Sequence, residues 1–186
     1  IDDQFMQHFQ ASIDSTMAFV NRRIGTMTHT IYTRDAFFGS SSFCDLVHNL
    51  QLQITGADIS FNAPLTFDST IAEGDIHMSD MFNLYKYENL VCCLKMTGKE
   101  IRNYLEMSYD QWIATMRTPD DHIMLMDQRT NSKKEPYFVF RNLAFNFDSA
   151  AGINYEVDAT KEKGSRIHIL SMADGTPFDN DRWYNV

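Results

Sequence analysis

Cysteine is scarce in this sequence, and its three copies are spaced for neither a metal site nor a disulfide framework. Cys44 stands alone and Cys92 is adjacent to Cys93, so the sequence has no Cys-x-x-Cys pair that could chelate zinc. Cys92 and Cys93 lie in an apolar run, and a free cysteine usually packs as a small hydrophobic residue. We therefore expect both to be buried, unreactive thiols.

Positive charge is also sparse, and no segment concentrates it. The chain of 186 residues has 16 Lys and Arg against 25 Asp and Glu, which gives a net charge of −9 with neutral histidine. Nucleic-acid polymers are held by neutralising many phosphates, so this balance excludes a nucleic-acid polymer as a partner. A single small anion stays compatible, because a few arginines or backbone amides can hold one phosphate.

Membrane spans and common catalytic motifs are absent as well. No stretch reaches the roughly 20 apolar residues that span a bilayer, so we expect no membrane span. The six histidines occur outside His-x-His and His-Glu-x-x-His patterns, and the sequence has no Gly-x-Ser-x-Gly or Walker loop. We therefore expect no catalytic residue and no metal or other cofactor in this chain. Residues 1–3 include neither an initiator Met nor the start of a signal peptide. We therefore interpret the sequence as an excised fragment.

What the sequence does have is hydrophobic patterning along its whole length, with 44% hydrophobic and 13% aromatic residues. Apolar residues recur every three or four positions over 4–21, over 43–54 before Gly56, and over 101–112, which predicts three helices. Ser42 with Asp45, and Thr97 with Glu100, have the spacing of capping boxes at the starts of the last two helices. A short helix is predicted over 79–84.

The remaining patterns are typical of strands. They predict β-type segments over 25–32, 57–61, 89–96, 137–148, 152–158, 165–172 and 182–186. The run 89–96 is apolar and long enough for a central strand, whereas 115–135 is polar and is interpreted as a long exposed excursion of low order. The mixture predicts an α/β (α+β) fold with helices layered on mixed sheets. Because the last pattern stops midway at Val186, we expect a C-terminal truncation.

Aromatic and amide side chains are concentrated at Tyr85, Tyr87 and Asn89, just before the apolar run. A flat phenol beside an amide can stack on a nucleobase and hydrogen-bond to its edge. A tyrosine packed over a sheet edge has the same pattern. Composition alone therefore leaves both interpretations open.

Several motifs, in order, resemble the C-terminal domain of the 5′-nucleotidase family, and the likeness covers most of 36–186. They are Phe38-Gly39-Ser40-Ser41-Ser42, Thr55-Gly56-Ala57-Asp58, Gly74-Asp75-Ile76, Leu84-Tyr85-Lys86-Tyr87-Glu88-Asn89 and Thr97-Gly98-Lys99-Glu100. Within the family, Leu105-Glu106-Met107-Ser108 and Asn146-Phe147-Asp148 look like the branch of bacterial 2′,3′-cyclic-nucleotide 2′-phosphodiesterase/3′-nucleotidases.

The resemblance implies the nucleotide-binding domain of a two-domain phosphoester hydrolase that is periplasmic, secreted or on the cell surface. Its partner would be an N-terminal calcineurin-like metallophosphoesterase domain of the same polypeptide, which carries two divalent metals and does the hydrolysis. Residues 1–35 would be the connecting helix and lead-in strand, and 36–186 the substrate-binding domain. This fragment alone would then be inactive.

The same resemblance implies which residues bind the nucleotide or nucleoside substrate. Tyr87 takes the place of the first ring that stacks on the base, and Asn89 that of the amide beside it. Tyr85, Asn62 and Phe67 complete the expected set. The loop 62–67 corresponds to the family's Asn-Gly-Gly-Gly-Ile-Arg loop but reads Asn-Ala-Pro-Leu-Thr-Phe, and the cyclic-phosphodiesterase branch has an Ala-Pro-containing loop there.

The loop 62–68 should lie beside Tyr87 at one edge of the sheet. Two alternatives to the cyclic-nucleotide phosphodiesterase interpretation share the same scaffold. One is the substrate-binding domain of a 5′-nucleotidase or UDP-sugar hydrolase, and the other is a non-catalytic binding module.

Overall fold

The computed structural model describes residues 2–186, and within them the chain forms four α-helices and twelve β-strands, with the last six strands after the last helix. The helices are α1 (Asp3–Val20), α2 (Ser42–Thr55), α3 (Met78–Leu84) and α4 (Gly98–Asp110). The strands are β1 (Arg23–Met27), β2 (Ile31–Tyr32), β3 (Ser60–Asn62), β4 (Thr70–Ile71), β5 (Gly74–His77), β6 (Lys95–Thr97), β7 (Met126–Thr130), β8 (Pro136–Phe140), β9 (Ser149–Ala151), β10 (Ile153–Val157), β11 (Ile167–Met172) and β12 (Trp183–Asn185). This composition confirms the predicted mixed α and β class.

The strands pair two by two, and every pair is antiparallel. The pairs are β1 with β5, β2 with β4, β3 with β9, β6 with β12, β7 with β8 and β10 with β11. Four of the six pairs join strands that are distant in sequence, namely β1 with β5, β2 with β4, β3 with β9 and β6 with β12. The predicted segment 25–32 is divided between β1 and β2, which pair with different strands.

Helix α1 occupies almost the whole of the predicted helix 4–21. The Asp2 side chain caps it by accepting a hydrogen bond from the Gln4 backbone N–H at 2.9 Å. No residue of α1 is buried, and Phe5 and Phe9 keep 57% and 41% of their surface exposed. The apolar stripe that the spacing predicted is present, and it faces outward.

The N-cap of helix α2 is Ser41, one residue before the predicted cap. The Ser41 backbone is extended, and its hydroxyl accepts a hydrogen bond from the Cys44 N–H at 3.1 Å. Ser42 is already helical, so the capping box predicted from Ser42 and Asp45 is wrong. The helix ends at Gly56 as predicted, because Gly56 takes the left-handed conformation with φ 64°.

The main core lies between α4 and the strands β10, β11 and β12. Its buried members are Ile59, Ile101, Leu105, Ile153, Ile167 and Tyr184. The predicted capping box starts α4, since Thr97 and Glu100 each accept a hydrogen bond from the other's backbone N–H. Glu106 ties the helix to the start of β11, because its buried carboxylate accepts the backbone N–H groups of Arg166 at 3.0 Å and Ile167 at 2.7 Å.

A second cluster, rich in aromatic rings, corrects the interpretation of residues 115–135. Most of that segment is exposed, as predicted, but it has regular structure and a buried anchor. Met124 is 3% exposed and packs in one cluster with Phe37, Trp112 and Phe147. The residues after it form the hairpin of β7 and β8, in which Met126 pairs with Phe140. The apolar patch inside the polar sequence is what anchors the segment.

The apolar run 89–96 is the other correction. Only Lys95–Thr97 is a strand, and Leu90 keeps 93% of its surface exposed. The buried-thiol expectation is wrong for Cys92 and Cys93, which are both exposed, whereas Cys44 is buried. In the described chain no strand lies beside 90–93, so nothing covers these side chains.

The predicted C-terminal strands are present with shorter bounds. The segment 137–148 divides into β8 and a 3-10 turn over Ala144–Asn146. The segments 152–158, 165–172 and 182–186 become β10, β11 and β12. Gly152 between β9 and β10 has φ 93°, and a Cβ there would lie 2.2 Å from the Asp58 carbonyl oxygen, so only glycine fits.

Candidate functional site

A cleft of about 690 Å³ lies between α2, strand β3 and the segment 85–94. Its polar part is lined by Tyr85, Tyr87, Asn89, Tyr104 and Asp148. Its apolar part is lined by Val47, Leu50, Ile54, residues 90–94 and Val186. A second cleft of about 400 Å³ shares Tyr85, Tyr87, Asn89 and Asp148 with the polar part and adds Asn62. Both volumes are in the range of small-molecule sites, roughly 300–1,000 Å³.

The end of α3 places the aromatic and amide groups of the polar part. Tyr85 leaves the helix with φ −150° and ψ 98°, which is extended backbone. The chain bends at Tyr87, and Tyr85, Tyr87 and Asn89 all line the same cleft. The Asn89 side-chain amide donates a hydrogen bond to the Tyr85 hydroxyl at 2.8 Å. This bond holds the two ends of the segment together.

Tyr87 offers an aromatic face to the cleft. It is 42% exposed and belongs to none of the three buried clusters of the described residues. The Lys86 ammonium lies over one face of the ring, 5.3 Å from its centroid. A flat ligand would therefore stack against the opposite face or displace Lys86. The packing interpretation of this tyrosine has no core contact to support it.

The loop after β3 lies beside Tyr87, because Asn62 and Tyr87 line the same cleft. Asn62 is 6% exposed, and its side-chain nitrogen has no hydrogen-bond partner among the described residues. Phe67, at the other end of the loop, lines neither cleft. Its ring packs against Phe37 and Phe140, with centroid distances of 5.4 and 4.8 Å. Four of the five predicted site residues thus lie together, and Phe67 lies apart.

The sequence did not point to Tyr104 and Asp148 as site residues. The Tyr104 hydroxyl donates a hydrogen bond to the Asp148 carboxylate, and Ser108 donates to the Asp148 backbone oxygen at 2.8 Å. Burial raises the pKa of Asp148, and burial together with Asp148 raises the pKa of Tyr104. The pair therefore supplies hydrogen-bond acceptors next to the aromatic rings. No local motif marks it, because its members are 44 residues apart.

A buried network of polar side chains contacts β3. His48 is 2% exposed, and its Nδ1 lies 2.9 Å from the Ser60 hydroxyl oxygen. Ser60 donates to the Gln51 side-chain oxygen at 2.5 Å, so His48 must donate to Ser60 through Nδ1–H. Its Nε2 lies 3.3 Å from the Ser149 hydroxyl. Burial lowers the pKa of His48 to about 4, so the ring is neutral at pH 7.

The lining of both clefts has acidic side chains and no lysine or arginine. Glu88 and Asp148 are the acidic members. Across residues 2–186, no group of three or more His, Cys, Asp or Glu side chains is placed to hold a metal ion. In the same residues no helix is both long enough and apolar enough to cross a membrane. The arrangement suits an uncharged flat ring that carries hydrogen-bond donors.

The chain belongs to the 5′-nucleotidase C-terminal domain family, because the model of that family matches residues 23–186. This confirms the family that the ordered motifs indicated.

Three curated relatives are nucleotide phosphoesterases. The 2′,3′-cyclic-nucleotide 2′-phosphodiesterase/3′-nucleotidase of Salmonella typhimurium is 24% identical, with 86% of this chain and 26% of its own length aligned. The enzyme of the same name from Yersinia enterocolitica is 23% identical, and the match covers 94% of this chain and 30% of that enzyme. The trifunctional nucleotide phosphoesterase protein YfkN of Bacillus subtilis is 30% identical, and the match covers 50% of this chain and 6% of that protein. The chain spans less than a third of each of these relatives.

Solved structures share the fold. A Staphylococcus aureus 5′-nucleotidase in complex with α-ketoglutarate matches the whole of this chain with a TM-score of 0.72 and 17% identity, over 33% of its own length. The 5′-nucleotidase precursor of Thermus thermophilus matches with a TM-score of 0.70 and 20% sequence identity, also over 33% of its length. At these identities the likeness concerns the fold alone.

Proposed function

We propose that this chain is the nucleotide-binding domain of a metal-dependent phosphoester hydrolase that acts on nucleoside 2′,3′-cyclic phosphates and 3′-phosphates. The observation that carries the proposal is the polar part of the cleft, where the Tyr87 ring lies beside Asn89 and Asn62. Stacking of a base on such a ring is worth roughly 1–3 kcal/mol. The names of the relatives from Salmonella typhimurium and Yersinia enterocolitica support the substrate class.

Charge suggests how the substrate lies. Glu88 and Asp148 line the clefts and would repel a phosphate, whereas the Lys86 ammonium over the Tyr87 ring is the cation available to attract one. The base and ribose are uncharged, and their N–H and O–H groups can donate to the Asp148 carboxylate. The nucleoside would therefore enter the cleft, and its phosphate would face away from the acidic lining.

Hydrolysis belongs elsewhere in this proposal. The described residues do not fit a metal site, and no catalytic step is assigned to them. Two divalent metals on a preceding calcineurin-like domain of the same polypeptide would activate water and stabilise charge on phosphorus. Residues 1–35, with α1, would connect the two domains. A periplasmic or secreted location is part of the same proposal.

The loop 62–67 favours cyclic and 3′-phosphates over the 5′-nucleotidase and UDP-sugar hydrolase alternatives. Its residues Asn62-Ala63-Pro64-Leu65-Thr66-Phe67 include no arginine or lysine. The loop itself therefore offers a phosphate no cationic side chain, and the nearby Arg34 is paired with Asp68. A nucleotide whose phosphate points away from the loop does not need a cationic side chain there.

Isothermal titration of this chain with the four ribonucleosides, their 3′-phosphates and inorganic phosphate tests the proposal. We expect at least one nucleoside and its 3′-phosphate to bind with similar affinity, inorganic phosphate not to bind, and the chain alone to hydrolyse no bis-p-nitrophenyl phosphate with any divalent metal. Binding of inorganic phosphate, without binding of any nucleoside, would contradict the proposal. So would metal-dependent turnover that co-purifies with the chain.

A further inference from the structure

The second cleft, of about 400 Å³, contains two polar groups that make no hydrogen bond to any described residue. They are the side-chain nitrogen of Gln51 and the carboxylate oxygen Oδ1 of Asp148. Both side chains are half-buried, and neither group is among the fully buried polar atoms that lack a partner. A ligand in this cleft can therefore reach both groups. The lining of the cleft includes no residue of 90–94 and none of β12.

A chain of hydrogen bonds fixes which end of the Gln51 amide is free. His48 donates through Nδ1–H to the Ser60 hydroxyl at 2.9 Å, and Ser60 donates to Gln51 Oε1 at 2.5 Å. His48 and Ser60 are 2% and 4% exposed, so water does not compete for these bonds. Because the Ser60 proton requires an acceptor, the amide oxygen of Gln51 takes it. Gln51 therefore offers its NH2 group, which can only donate, to a ligand.

Tyr104 leaves Asp148 with a free acceptor. The Tyr104 hydroxyl donates to Asp148 Oδ2, and the Tyr104 ring packs on Phe61 with the centroids 4.6 Å apart. Phe61 follows Ser60 on β3, so the groups that hold Asp148 and Gln51 contact adjacent residues of one strand. An ionised carboxylate has no proton, so Oδ1 can only accept. The cleft thus has a donor at Gln51 and an acceptor at Asp148.

Acceptors outnumber donors in this cleft once the phenol hydroxyls, which can do both, are set aside. The Asn89 side-chain nitrogen donates to Tyr85, so the Asn89 side-chain oxygen is a second free acceptor beside Asp148 Oδ1. Gln51 supplies the free donor. An exocyclic amine has two N–H groups and can serve two acceptors, whereas the N–H beside a carbonyl in hypoxanthine or uracil can serve one. The balance favours a base with an exocyclic amine.

We propose that Asp148 and Gln51 determine base specificity, and that they select bases in which an exocyclic amine adjoins an unprotonated ring nitrogen, as in adenine and cytosine. This inference rests on the proposed function, because it assigns a base preference to the site where Tyr87 stacks on the base. The amine donates to Asp148 Oδ1, and the Gln51 NH2 group donates to the ring nitrogen.

A keto base in the same position reverses both hydrogen bonds. In hypoxanthine a carbonyl oxygen replaces the amine and lies against the Asp148 carboxylate, while a ring N–H lies against the Gln51 NH2 group. Both side chains then lose a partner in a half-buried site, which costs affinity twice. A site built to hydrogen-bond its ligand rejects an analogue that leaves its polar groups unpaired.

Isothermal titration of the natural chain with four purine nucleosides tests the two hydrogen bonds separately. Purine riboside lacks the amine of adenosine, 1-deazaadenosine lacks the ring nitrogen beside that amine, and inosine has the keto edge. All four present a purine to Tyr87, so stacking is nearly constant. We expect adenosine to bind most tightly, each single deletion to weaken binding about fivefold, and inosine to bind at least about tenfold more weakly than adenosine.

Two isosteric variants should change the preference in a predictable way. In Asp148→Asn the amide oxygen accepts the Tyr104 proton, so an NH2 group replaces the free acceptor. In Gln51→Glu one oxygen accepts the Ser60 proton, and the other replaces the free donor. Each change should lower the ratio of adenosine to inosine affinity at least about fivefold. Gln53→Glu makes the same charge change on the exposed side of α2, outside both clefts, and should leave the ratio unchanged.

Equal binding of adenosine and inosine by the natural chain would overturn this inference and leave the proposed function standing. Tighter binding of inosine, or equal binding of adenosine and purine riboside, would do the same. An unchanged ratio in both variants, with thermal midpoints that show them folded, would also overturn it. If no nucleoside binds the natural chain, the proposed function fails and the inference fails with it. The titrations of the natural chain decide the matter even if a variant does not fold.

Discussion

Buried His48 should make the stability of this fold fall between pH 6.5 and pH 4. Its ordinary pKa is 6.5, and burial lowers it to about 4 in the folded state. Above pH 6.5 the ring is neutral in both the folded and unfolded states, so it adds no pH dependence. As the pH falls, the unfolded chain takes up a proton that the folded chain refuses, and the free energy of unfolding decreases.

The size of the loss follows from the shift. Each pKa unit is worth about 1.4 kcal/mol, so a shift from 6.5 to about 4 removes about 3 kcal/mol at and below pH 4. This is a large part of the 5–15 kcal/mol that typical domains have. The cause is desolvation of the imidazolium, because Ser60 and Ser149 offer His48 hydroxyl groups and no carboxylate.

Urea denaturation at pH 7 and pH 4 measures this loss in the natural chain, in His48→Gln and in His168→Gln. His168 is exposed on β11 and serves as the matched control. The natural chain and His168→Gln should lose equal amounts of stability, and His48→Gln should lose about 3 kcal/mol less. Equal losses in all three would refute the reasoning, whatever the stability of His48→Gln at pH 7.

Three substitutions test the local structure by the same denaturation measurement. Thr97→Ala removes one hydrogen bond of the capping box of α4 and should cost about 1 kcal/mol, and a change within error would show that the box contributes nothing. Gly152→Ala should cost at least about 2 kcal/mol, because its new Cβ would lie 2.2 Å from the Asp58 carbonyl oxygen in addition to the strained φ of 93°. Gly175→Ala, with φ 86° and open space around the Cβ, should cost only about 1–2 kcal/mol, and an equal cost at both positions would contradict the role of the close contact.

The helices could be predicted because their signals are local. The apolar spacing of α1, the Thr97 and Glu100 box of α4, and the glycine that ends α2 each lie within a few residues of the structure they specify. The hairpin of β7 and β8 could not be predicted in the same way. Its anchor is Met124, which is buried by Phe37 and Phe147, and these residues come from distant parts of the chain.

The residues of the candidate site also differ in whether they could be identified from the sequence. Tyr85, Tyr87 and Asn89 follow one another in one short segment, so a local pattern was enough to bring them together. Asp148 could not be found from sequence, because its partner Tyr104 lies on a separate element. The run 89–96 has the composition of a strand. Its apolar side chains are buried only if a neighbouring strand covers them, and the local sequence pattern does not show whether one does.

The central claim is that Tyr87 is the platform on which the nucleobase stacks. The most direct measurement is the dissociation constant of a nucleoside for the natural chain, Tyr87→Ala and Tyr87→Phe, with the thermal midpoint of each as a control for folding. Loss of the ring should weaken binding by roughly 1–3 kcal/mol, about 5- to 150-fold, while Phe should bind nearly as well as Tyr because stacking uses the ring face. The midpoints should stay close, since Tyr87 is 42% exposed and outside the buried clusters. Unchanged affinity in Tyr87→Ala, or equal damage by Ala and Phe, would contradict the claim.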